Sequence, residues 1–234
     1  MSKFICAFIL VTSLINLRNE IPDSKLAKAE RVKLWPKLKK ELLAQRLKPN
    51  SNLYLRIFKH ENELEIWSKS GKKYSFFKTY NICYFSGGLG TKTNSGDKRS
   101  PEGFYTIYPN QLAPVSKYYL AINIGYPNKL ERLKGYTGDA VMIHGHCVSI
   151  GCYAMTDDGI AEIFTLVYMA FKNGQEKINL DIFPFRMSDE EMEKHIYSPY
   201  MNFWETLKPG YDLFNKKLVP TDPDIDNNNY VFKN

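Results

Sequence analysis

A histidine and a cysteine eight positions apart are the side chains of this sequence best suited to covalent chemistry. His144 ends an apolar run at 141–143, and Cys152 directly follows Gly151. A free thiol with a pKa of roughly 8.5 is mostly protonated near neutral pH, so it needs a base to become a nucleophile. An imidazole can take that proton and return it to a departing amine. The pair predicts cysteine-dependent acyl transfer, with Cys152 as nucleophile and His144 as base.

Two neighbours extend this predicted catalytic set. Gly151 allows the backbone to pass close to a substrate, so the N–H groups around Gly151 and Cys152 are candidates to hold a developing oxyanion. Ser149 supplies a short donor beside the same cavity. Proximity along the chain does not by itself bring the side chains together, which makes this a hypothesis about geometry.

Two other arrangements of the same segment stay open on the residues alone. His144, His146, Cys147 and Cys152 are all residue types that bind zinc. Alternatively, Cys147 and Cys152 are close enough in sequence to form a small disulfide loop. A third pairing, Cys83 with Cys147, would leave Cys152 free, although nothing in the sequence places Cys83.

The elements that must position these residues are read from the hydrophobic pattern. Apolar and aromatic runs predict strands at 53–58, 63–67, 74–80, 82–85, 104–108, 119–124, 140–143 and 178–182. A basic amphipathic helix is predicted at 30–47, and a second helix is predicted after Cys152, capped by Asp157 or Asp158. Residues 188–234 are predicted to form two short helices and a tail. The pattern indicates a mostly β body with a C-terminal extension.

Charge is distributed unevenly along the 234 residues, which carry a formal net charge of +7. The first 50 residues hold 11 Lys and Arg against 4 Asp and Glu, whereas the remainder holds 21 of each sign. The body is therefore near neutral, which excludes nucleic-acid binding through a broad basic face. The basic leader could instead touch an anionic envelope surface, or simply be a solvated helix face.

The chain starts like an exported protein. Lys3 precedes an apolar run of about a dozen residues, which is short for a membrane span and typical of a secretory signal. We expect residues 1–29 to be a signal peptide or an uncleaved anchor, with a small-x-small site ending at Ala29. Export to the periplasm would place Cys83, Cys147 and Cys152 in an oxidising compartment, where an odd count leaves one thiol unpaired within the chain.

The catalytic segment resembles a known family. The sequence His144-Gly145, followed by Ser149-x-Gly151-Cys152, is similar to the signature of the L,D-transpeptidase (YkuD-like) catalytic domain, and more narrowly to its YafK branch with the DpaA-type amidases. The likeness extends from about residue 53 to the C-terminus through further motifs at 95–105, 123–128, 154–157, 183–187, 203–204 and 207–212.

This resemblance implies a fold, an activity and a partner. The implied fold is mostly β with α: an L,D-transpeptidase-like β-sandwich catalytic domain at 51–187, preceded by a basic helix or linker at 30–50 and followed by a helical extension at 188–234. The implied catalytic residues are Cys152, His144, Ser149 and Gly151, with Gly145 orienting the imidazole through its carbonyl. The implied partner is peptidoglycan, through stem peptides containing meso-diaminopimelate, without cofactor or metal.

Departures from the usual transpeptidase motif indicate which reaction to expect. The motif normally carries His before Gly-Cys and Arg or Asn two residues after the cysteine, where this chain has Ile150 and Ala154. The loss of these polar groups agrees with the YafK branch, whose resemblance implies hydrolysis that frees an envelope protein from the wall. An L,D-transpeptidase that forms cross-links is the alternative, and a non-catalytic wall-binding protein is a second one.

Four further residues are candidates for substrate binding. Lys98, Arg99 and Tyr105 could contact substrate carboxylates or the peptide stem, and His146 could line the cleft. A solvated loop is an equally good explanation for the two cations, and a surface role is an equally good one for the histidine.

Overall fold

A computed structural model describes residues 20–233 of the chain. The predicted signal peptide lies largely outside these residues. No helix in the described range is long and apolar enough to cross a bilayer. The helices are α1 Lys25–Ala44, α2 Lys129–Leu133, α3 Asp157–Lys172, α4 Asp189–Lys194 and α5 Met201–Lys217. The strands are β1 Leu53–Phe58, β2 Glu63–Ser70, β3 Lys73–Tyr84, β4 Gly103–Ile107, β5 Leu112–Ser116, β6 Tyr119–Asn123, β7 Met142–His144, β8 Tyr153–Met155, β9 Ile178–Phe183, β10 Asp224–Asp226 and β11 Asn229–Val231.

One curled sheet of nine strands organises the molecule, in the order β4-β9-β1-β2-β3-β8-β7-β6-β5. Strand β3 joins its two halves, because its first part pairs with β2 while Ile82 and Tyr84 pair with β8. The β1–β9 and β7–β8 pairs are parallel, and the other neighbours are antiparallel. The predicted fold class, mostly β with α in an L,D-transpeptidase-like arrangement, is confirmed.

The main core lies between the two halves of the sheet and the helices α1 and α3. It combines β1 and β2 residues such as Leu55 and Ile66 with Ile143 and Tyr153 from the other half, all fully buried. Helix α3 presents mostly apolar residues to this core. Thr156 caps it, since its hydroxyl accepts a bond from the Gly159 N–H at 3.0 Å, so the predicted Asp157 or Asp158 cap is one or two residues too late.

The C-terminal extension packs on the β1, β4 and β9 side of the sheet through a second apolar cluster, which includes Phe58, Phe183, Trp204 and Leu207. Helix α5 has 17 residues, so it is longer than the short helix predicted. The last residues form the β10–β11 hairpin where a tail was predicted. Aromatic residues that must be buried drive this docking.

Helix α1 begins before the predicted domain boundary. It starts at Lys25, with the Ser24 hydroxyl accepting from the Ala27 N–H at 3.1 Å, and Ala27 is 1% exposed. The Ser24 hydroxyl also donates to the Pro114 carbonyl at 2.9 Å. A boundary after Ala29 would cut through the first turns of this helix, so residues 24–29 belong to the folded body.

Candidate active site

Two parallel strands bring the predicted nucleophile and base to the same face of the sheet. In the β7–β8 pair, Ile143 is opposite Tyr153 and His144 is opposite Ala154. Side chains alternate between faces along a strand, so Ile143 and Tyr153 enter the core while His144 and Cys152 share the other face. Diagonal neighbours on one face are within reach of long side chains. The structure therefore places His144 at the end of β7 and Cys152 directly before the neighbouring parallel strand β8.

The Cys152 thiol is partly accessible and outside any disulfide. Its Sγ accepts a contact from the Met142 N–H at 3.4 Å and lies 3.8 Å from the Ala140 carbonyl oxygen. Burial raises the pKa of the thiol, while the Met142 N–H and the Lys92 charge oppose that rise. The resting thiol is therefore protonated at neutral pH, and it needs a base at the moment of attack.

The His144 imidazole is held by one hydrogen bond and one ring contact. Its Nδ1 lies 2.7 Å from the Gly145 carbonyl oxygen. A carbonyl only accepts, so the neutral ring carries its proton on Nδ1 and leaves Nε2 as the acceptor. The Tyr118 ring lies over the imidazole with centroids 4.5 Å apart. Burial lowers the pKa of His144, which keeps the ring neutral and ready to accept a proton at neutral pH.

The turn before the nucleophile is closed by Ser149. Its hydroxyl accepts from the Gly151 N–H at 3.1 Å and the Cys152 N–H at 2.7 Å, and donates to the Cys152 carbonyl at 2.8 Å. Gly151 has φ +144°, a conformation that favours glycine. The two N–H groups predicted to hold an oxyanion are thus engaged with Ser149. That predicted role requires Ser149 to release them, and it stays a prediction.

Gly145 leaves no room for a side chain. A Cβ at this position would lie 2.9 Å from the Tyr118 carbonyl oxygen and 2.5 Å from Asp157 Oδ1. The Gly145 N–H also donates to the Tyr118 carbonyl at 3.0 Å. Close packing around Gly145 therefore joins the strand that carries His144 to the Tyr118 segment that covers it.

A disulfide between Cys83 and Cys147 decides among the arrangements that the sequence left open. It links the end of β3 to the loop before the nucleophile, so Cys147 is not available to pair with Cys152. Cys147 is equally unavailable as a ligand in the zinc arrangement, and no group of three or more His, Cys, Asp or Glu side chains in residues 20–233 is placed to hold a metal ion.

The two predicted substrate-binding cations lie in the loop at 91–101. Lys98 is exposed, and its carbonyl accepts from the Ser86 hydroxyl at 2.6 Å. The Arg99 guanidinium donates to the Gly87 carbonyl at 2.8 Å and to the Leu89 carbonyl at 3.3 Å. Arg99 therefore braces this loop, while Lys98 remains free to contact a ligand.

Tyr105 and His146 differ from one another in their surroundings. Tyr105 is 3% exposed, and its hydroxyl donates to Glu131 at 2.5 Å. The prediction of substrate contact at Tyr105 is therefore corrected, because its aromatic ring and hydroxyl are both used in the interior. His146 is exposed near the nucleophile, and its N–H donates to Asp157 Oδ1 at 2.8 Å.

Three residues near the site were missed by sequence reasoning. Tyr118 covers His144, Lys92 contributes positive charge near Cys152, and the Ser100 hydroxyl donates to the Cys152 carbonyl at 3.2 Å. Each lies in a segment distant along the chain from the catalytic motif. No local spacing links them to it, so the tertiary structure alone reveals them.

Comparison with known proteins places this site in a family. The L,D-transpeptidase catalytic domain (YkuD) matches residues 54–180, more than half of the chain. The chain therefore belongs to the family of L,D-transpeptidase catalytic domains, and the predicted resemblance is confirmed. At this level it is an enzyme of the L,D-transpeptidase type, and peptidoglycan is the polymer on which such enzymes act.

Two relatives from Escherichia coli agree with this assignment. The chain is 51% identical over 181 residues to a protein of Escherichia coli strain K12 that bears the name L,D-transpeptidase YafK. That alignment covers 77% of this chain and 74% of the relative, and a protein of Escherichia coli O157:H7 with the same name matches equally. Among solved structures, the helical cell shape determining protein Pgp2 from Campylobacter jejuni aligns with a TM-score of 0.46 and 18% identity, over 78% of this chain and 65% of that one.

Proposed function

We propose that this protein is a periplasmic cysteine amidase that acts on peptidoglycan. It would cleave an amide bond at meso-diaminopimelate and so release a protein anchored to the wall. The observation that carries the proposal is the free Cys152 thiol, which shares a sheet face with the His144 imidazole. The bond from Nδ1 of that imidazole to the Gly145 carbonyl leaves Nε2 to accept a proton.

The reaction proceeds through a covalent acyl-enzyme. Nε2 of His144 takes the thiol proton as Sγ of Cys152 attacks the substrate carbonyl. The amide C–N bond breaks, the nitrogen leaves as an amine after receiving the proton from His144, and a thioester remains on Cys152. A water molecule, deprotonated by His144, then attacks the thioester carbonyl and releases the carboxylate product and the thiol.

The residues around the nucleophile favour water over an amine as the second acceptor. Ile150, in a position that is usually polar in transpeptidases, is 81% exposed beside the site. Ala154, opposite His144 in the strand pair, is 0% exposed and offers no polar group. An amine acceptor must be bound and oriented, whereas water needs no dedicated pocket.

A transpeptidase remains the second candidate, because the matched family and the relatives named YafK carry that description. Both reactions share the acyl-enzyme and differ in the acceptor. The absence of polar side chains at Ile150 and Ala154 agrees with an amidase. A transpeptidase usually carries polar side chains at these two positions.

The proposed location is supported by the cysteines. Cys83 and Cys147 are both exposed at the surface yet joined in a disulfide. Such bonds persist in oxidising compartments such as the bacterial periplasm and are rare in the cytosol. This agrees with the secretory pattern of the first residues, which lie outside the described range. Contact of the basic N-terminal part with the membrane surface is an extension of the same proposal.

Purified protein incubated with intact sacculi and with isolated muropeptides tests the proposed reaction. Mass spectrometry of the products should show cleavage at meso-diaminopimelate and no new cross-links. New cross-links without cleavage would establish the transpeptidase instead.

A Cys152→Ala variant provides the matched control for this assay. It should keep its fold, measured by circular dichroism, and lose all turnover. Full activity in this variant would overturn both enzymatic mechanisms, and an inactive parent protein that binds sacculi would indicate a non-catalytic wall-binding protein.

A further inference from the structure

A fully buried ion pair lies behind the active site. Lys59 and Glu102 are each 0% exposed, with Lys59 Nζ 2.9 Å from Glu102 Oε1. The ammonium group also donates to the Gly90 carbonyl at 2.8 Å and to the Ser100 carbonyl at 2.9 Å, so all three of its N–H bonds are used. Such pairs contribute little to stability compared with apolar packing, but they impose one geometry on the groups they join.

The first arm of this network reaches the nucleophile. Ser100, whose carbonyl accepts from Lys59, donates its hydroxyl to the Cys152 carbonyl at 3.2 Å. The next residue along β8, Tyr153, donates its hydroxyl to the Pro101 carbonyl at 2.5 Å. Two consecutive residues of the loop are thus bonded to two consecutive residues at the nucleophile. The orientation of the Cys152 peptide unit therefore depends on where Lys59 holds Ser100.

The second arm reaches the C-terminal extension. Glu102 Oε1 accepts from the Gly90 N–H at 2.7 Å, and Oε2 accepts from the indole N–H of Trp204 at 2.7 Å. Trp204 belongs to helix α5, is 1% exposed, and lies beyond residues 54–180 matched by the family. Both carboxylate oxygens are therefore engaged, one toward the active-site loop and one toward the extension.

We propose that Trp204, Glu102, Lys59 and Ser100 form a positioning relay that sets the placement of the Cys152 nucleophile from the C-terminal extension. These residues act through Cys152 and touch no substrate. The inference rests on the proposed function, in which Cys152 is the attacking group. It adds one residue of helix α5, Trp204, to the groups that position Cys152, although this residue lies outside residues 54–180 matched by the L,D-transpeptidase domain.

The chemical consequence follows from the contacts of the thiol. Cys152 Sγ receives the Met142 N–H at 3.4 Å from the adjacent strand β7, which also carries His144. If the Cys152 backbone moves relative to β7, this contact lengthens and the thiolate loses a donor. The thiol then ionises at higher pH, and its alignment with the imidazole is lost.

Two variants test the relay from its opposite ends. Trp204→Phe removes the indole N–H while keeping an aromatic ring in the second apolar cluster. Ser100→Ala removes the hydroxyl at the nucleophile end, and it serves as the independent variant if Trp204→Phe does not fold. Leu207→Ala is the matched control, because Leu207 is 0% exposed in the same cluster and has no bond to Glu102.

Two readouts separate positioning from a general loss of stability. The first is kcat and KM on sacculi, measured well below the melting temperature of each variant. The second is the pH profile of iodoacetamide alkylation, followed on the Cys152 peptide by mass spectrometry. In both relay variants we expect kcat to fall about tenfold with KM within about twofold, and the alkylation profile to shift to higher pH. In Leu207→Ala we expect both readouts to stay at the parent level while the melting temperature falls.

The outcomes distinguish this proposal from the proposed function. If Trp204→Phe and Ser100→Ala keep parental kcat and an unshifted alkylation profile, the relay is refuted and the amidase stands. If the relay variants and Leu207→Ala lose kcat equally without a shift in alkylation, the residues are only structural and the relay is again refuted. If the parent protein has no turnover, the amidase fails, and the alkylation profiles alone still decide whether the relay positions Cys152.

Discussion

The two side chains that are proposed to react are held uncharged by their surroundings. Burial raises the pKa of the Cys152 thiol and lowers the pKa of the His144 imidazole. A preformed thiolate–imidazolium pair would need the opposite shifts. In the proposed mechanism the proton therefore moves from Sγ to Nε2 during attack, and the reaction requires a His144 that is neutral in the free state.

The neutral state of His144 predicts how kcat/KM depends on pH on the acid side of its profile. Because His144 must be neutral to act as a base and burial lowers its pKa, kcat/KM should rise with pH through a midpoint below the ordinary histidine value of 6.5. Steady-state assays from pH 4.5 to 8 measure it. A midpoint above 6.5, together with thiolate absorbance at neutral pH in the parent but not in Cys152→Ala, would contradict the neutral pair.

Gly145→Ala should inactivate the enzyme more than it destabilises it. The new Cβ would approach the Tyr118 carbonyl oxygen to 2.9 Å, and that atom belongs to the backbone that carries the ring over His144. Displacement of this segment should lower kcat by about tenfold or more.

The control for Gly145→Ala is Gly71→Ala, in the turn between β2 and β3. Gly71 has φ +63° and no atom within 4 Å of an added Cβ, so the change adds backbone strain of about 1 kcal/mol without a clash. It should keep parental kcat. Equal activity in the two variants would show that catalysis does not require a residue without a side chain at position 145.

At the scale of elements, the Cys83–Cys147 disulfide joins the end of β3 to the loop that precedes the nucleophile. From the sequence alone, Cys147 lies five residues from Cys152, and a reversible bond between these two would make the enzyme sensitive to oxidants. In the structure Cys147 already has a partner. The parent enzyme should therefore form no Cys147–Cys152 disulfide under mild oxidants.

Single and double substitutions make this prediction specific. Cys83→Ser frees Cys147, five residues from Cys152, and oxidised glutathione should then join these two residues in a disulfide that dithiothreitol reverses, detected by mass spectrometry of the linked peptides. The double variant Cys83→Ser/Cys147→Ser lacks the second thiol and should form only a mixed disulfide with glutathione at Cys152. Both variants should lose about 2–4 kcal/mol of unfolding free energy in urea titrations. Absence of a Cys147–Cys152 link in oxidised Cys83→Ser would exclude Cys147 as a partner of Cys152.

At the scale of the whole molecule, two buried carboxyls make stability depend on pH. Burial raises the pKa of Asp181 in β9 and of Glu131 in α2 to about 7 each. The Tyr54 and Tyr105 hydroxyls donate to them. A folded pKa above the unfolded value means that stability is fully present below about pH 4 and is lost as pH rises through about 7.

We therefore expect these carboxyls to lower the unfolding free energy between pH 5 and pH 8, by on the order of 2 kcal/mol each. The buried His144 changes the unfolding free energy with pH in the opposite direction. The pH dependence of each variant must therefore be compared with that of the parent. Urea unfolding of the parent, Asp181→Asn and Glu131→Gln at both pH values isolates each carboxyl. Between these two pH values the unfolding free energy should fall less in the variants than in the parent. An equal fall would mean that the carboxyls do not titrate in this range.

Much of the active site was predictable because its parts are local in sequence. The predicted order of apolar strand, His144, turn, Gly151-Cys152 and helix matches β7, the nucleophile turn and α3, but it missed the short strand β8 between Cys152 and α3. The need of a thiol for a base was enough to propose Cys152 and His144 as a pair. The residues themselves also indicated a mostly β body with a C-terminal extension.

Contacts between distant segments were decided only by the tertiary structure. The disulfide partner of Cys147 is 64 positions away, and Trp204 meets Glu102 across 102 positions. Tyr105, predicted to contact substrate, is buried, and its hydroxyl donates to Glu131. Such pairings depend on how the curled sheet closes and where helix α5 docks. Residue types and their spacing indicate which reactions a local segment can support. Tertiary packing determines which side chains from distant segments come into contact.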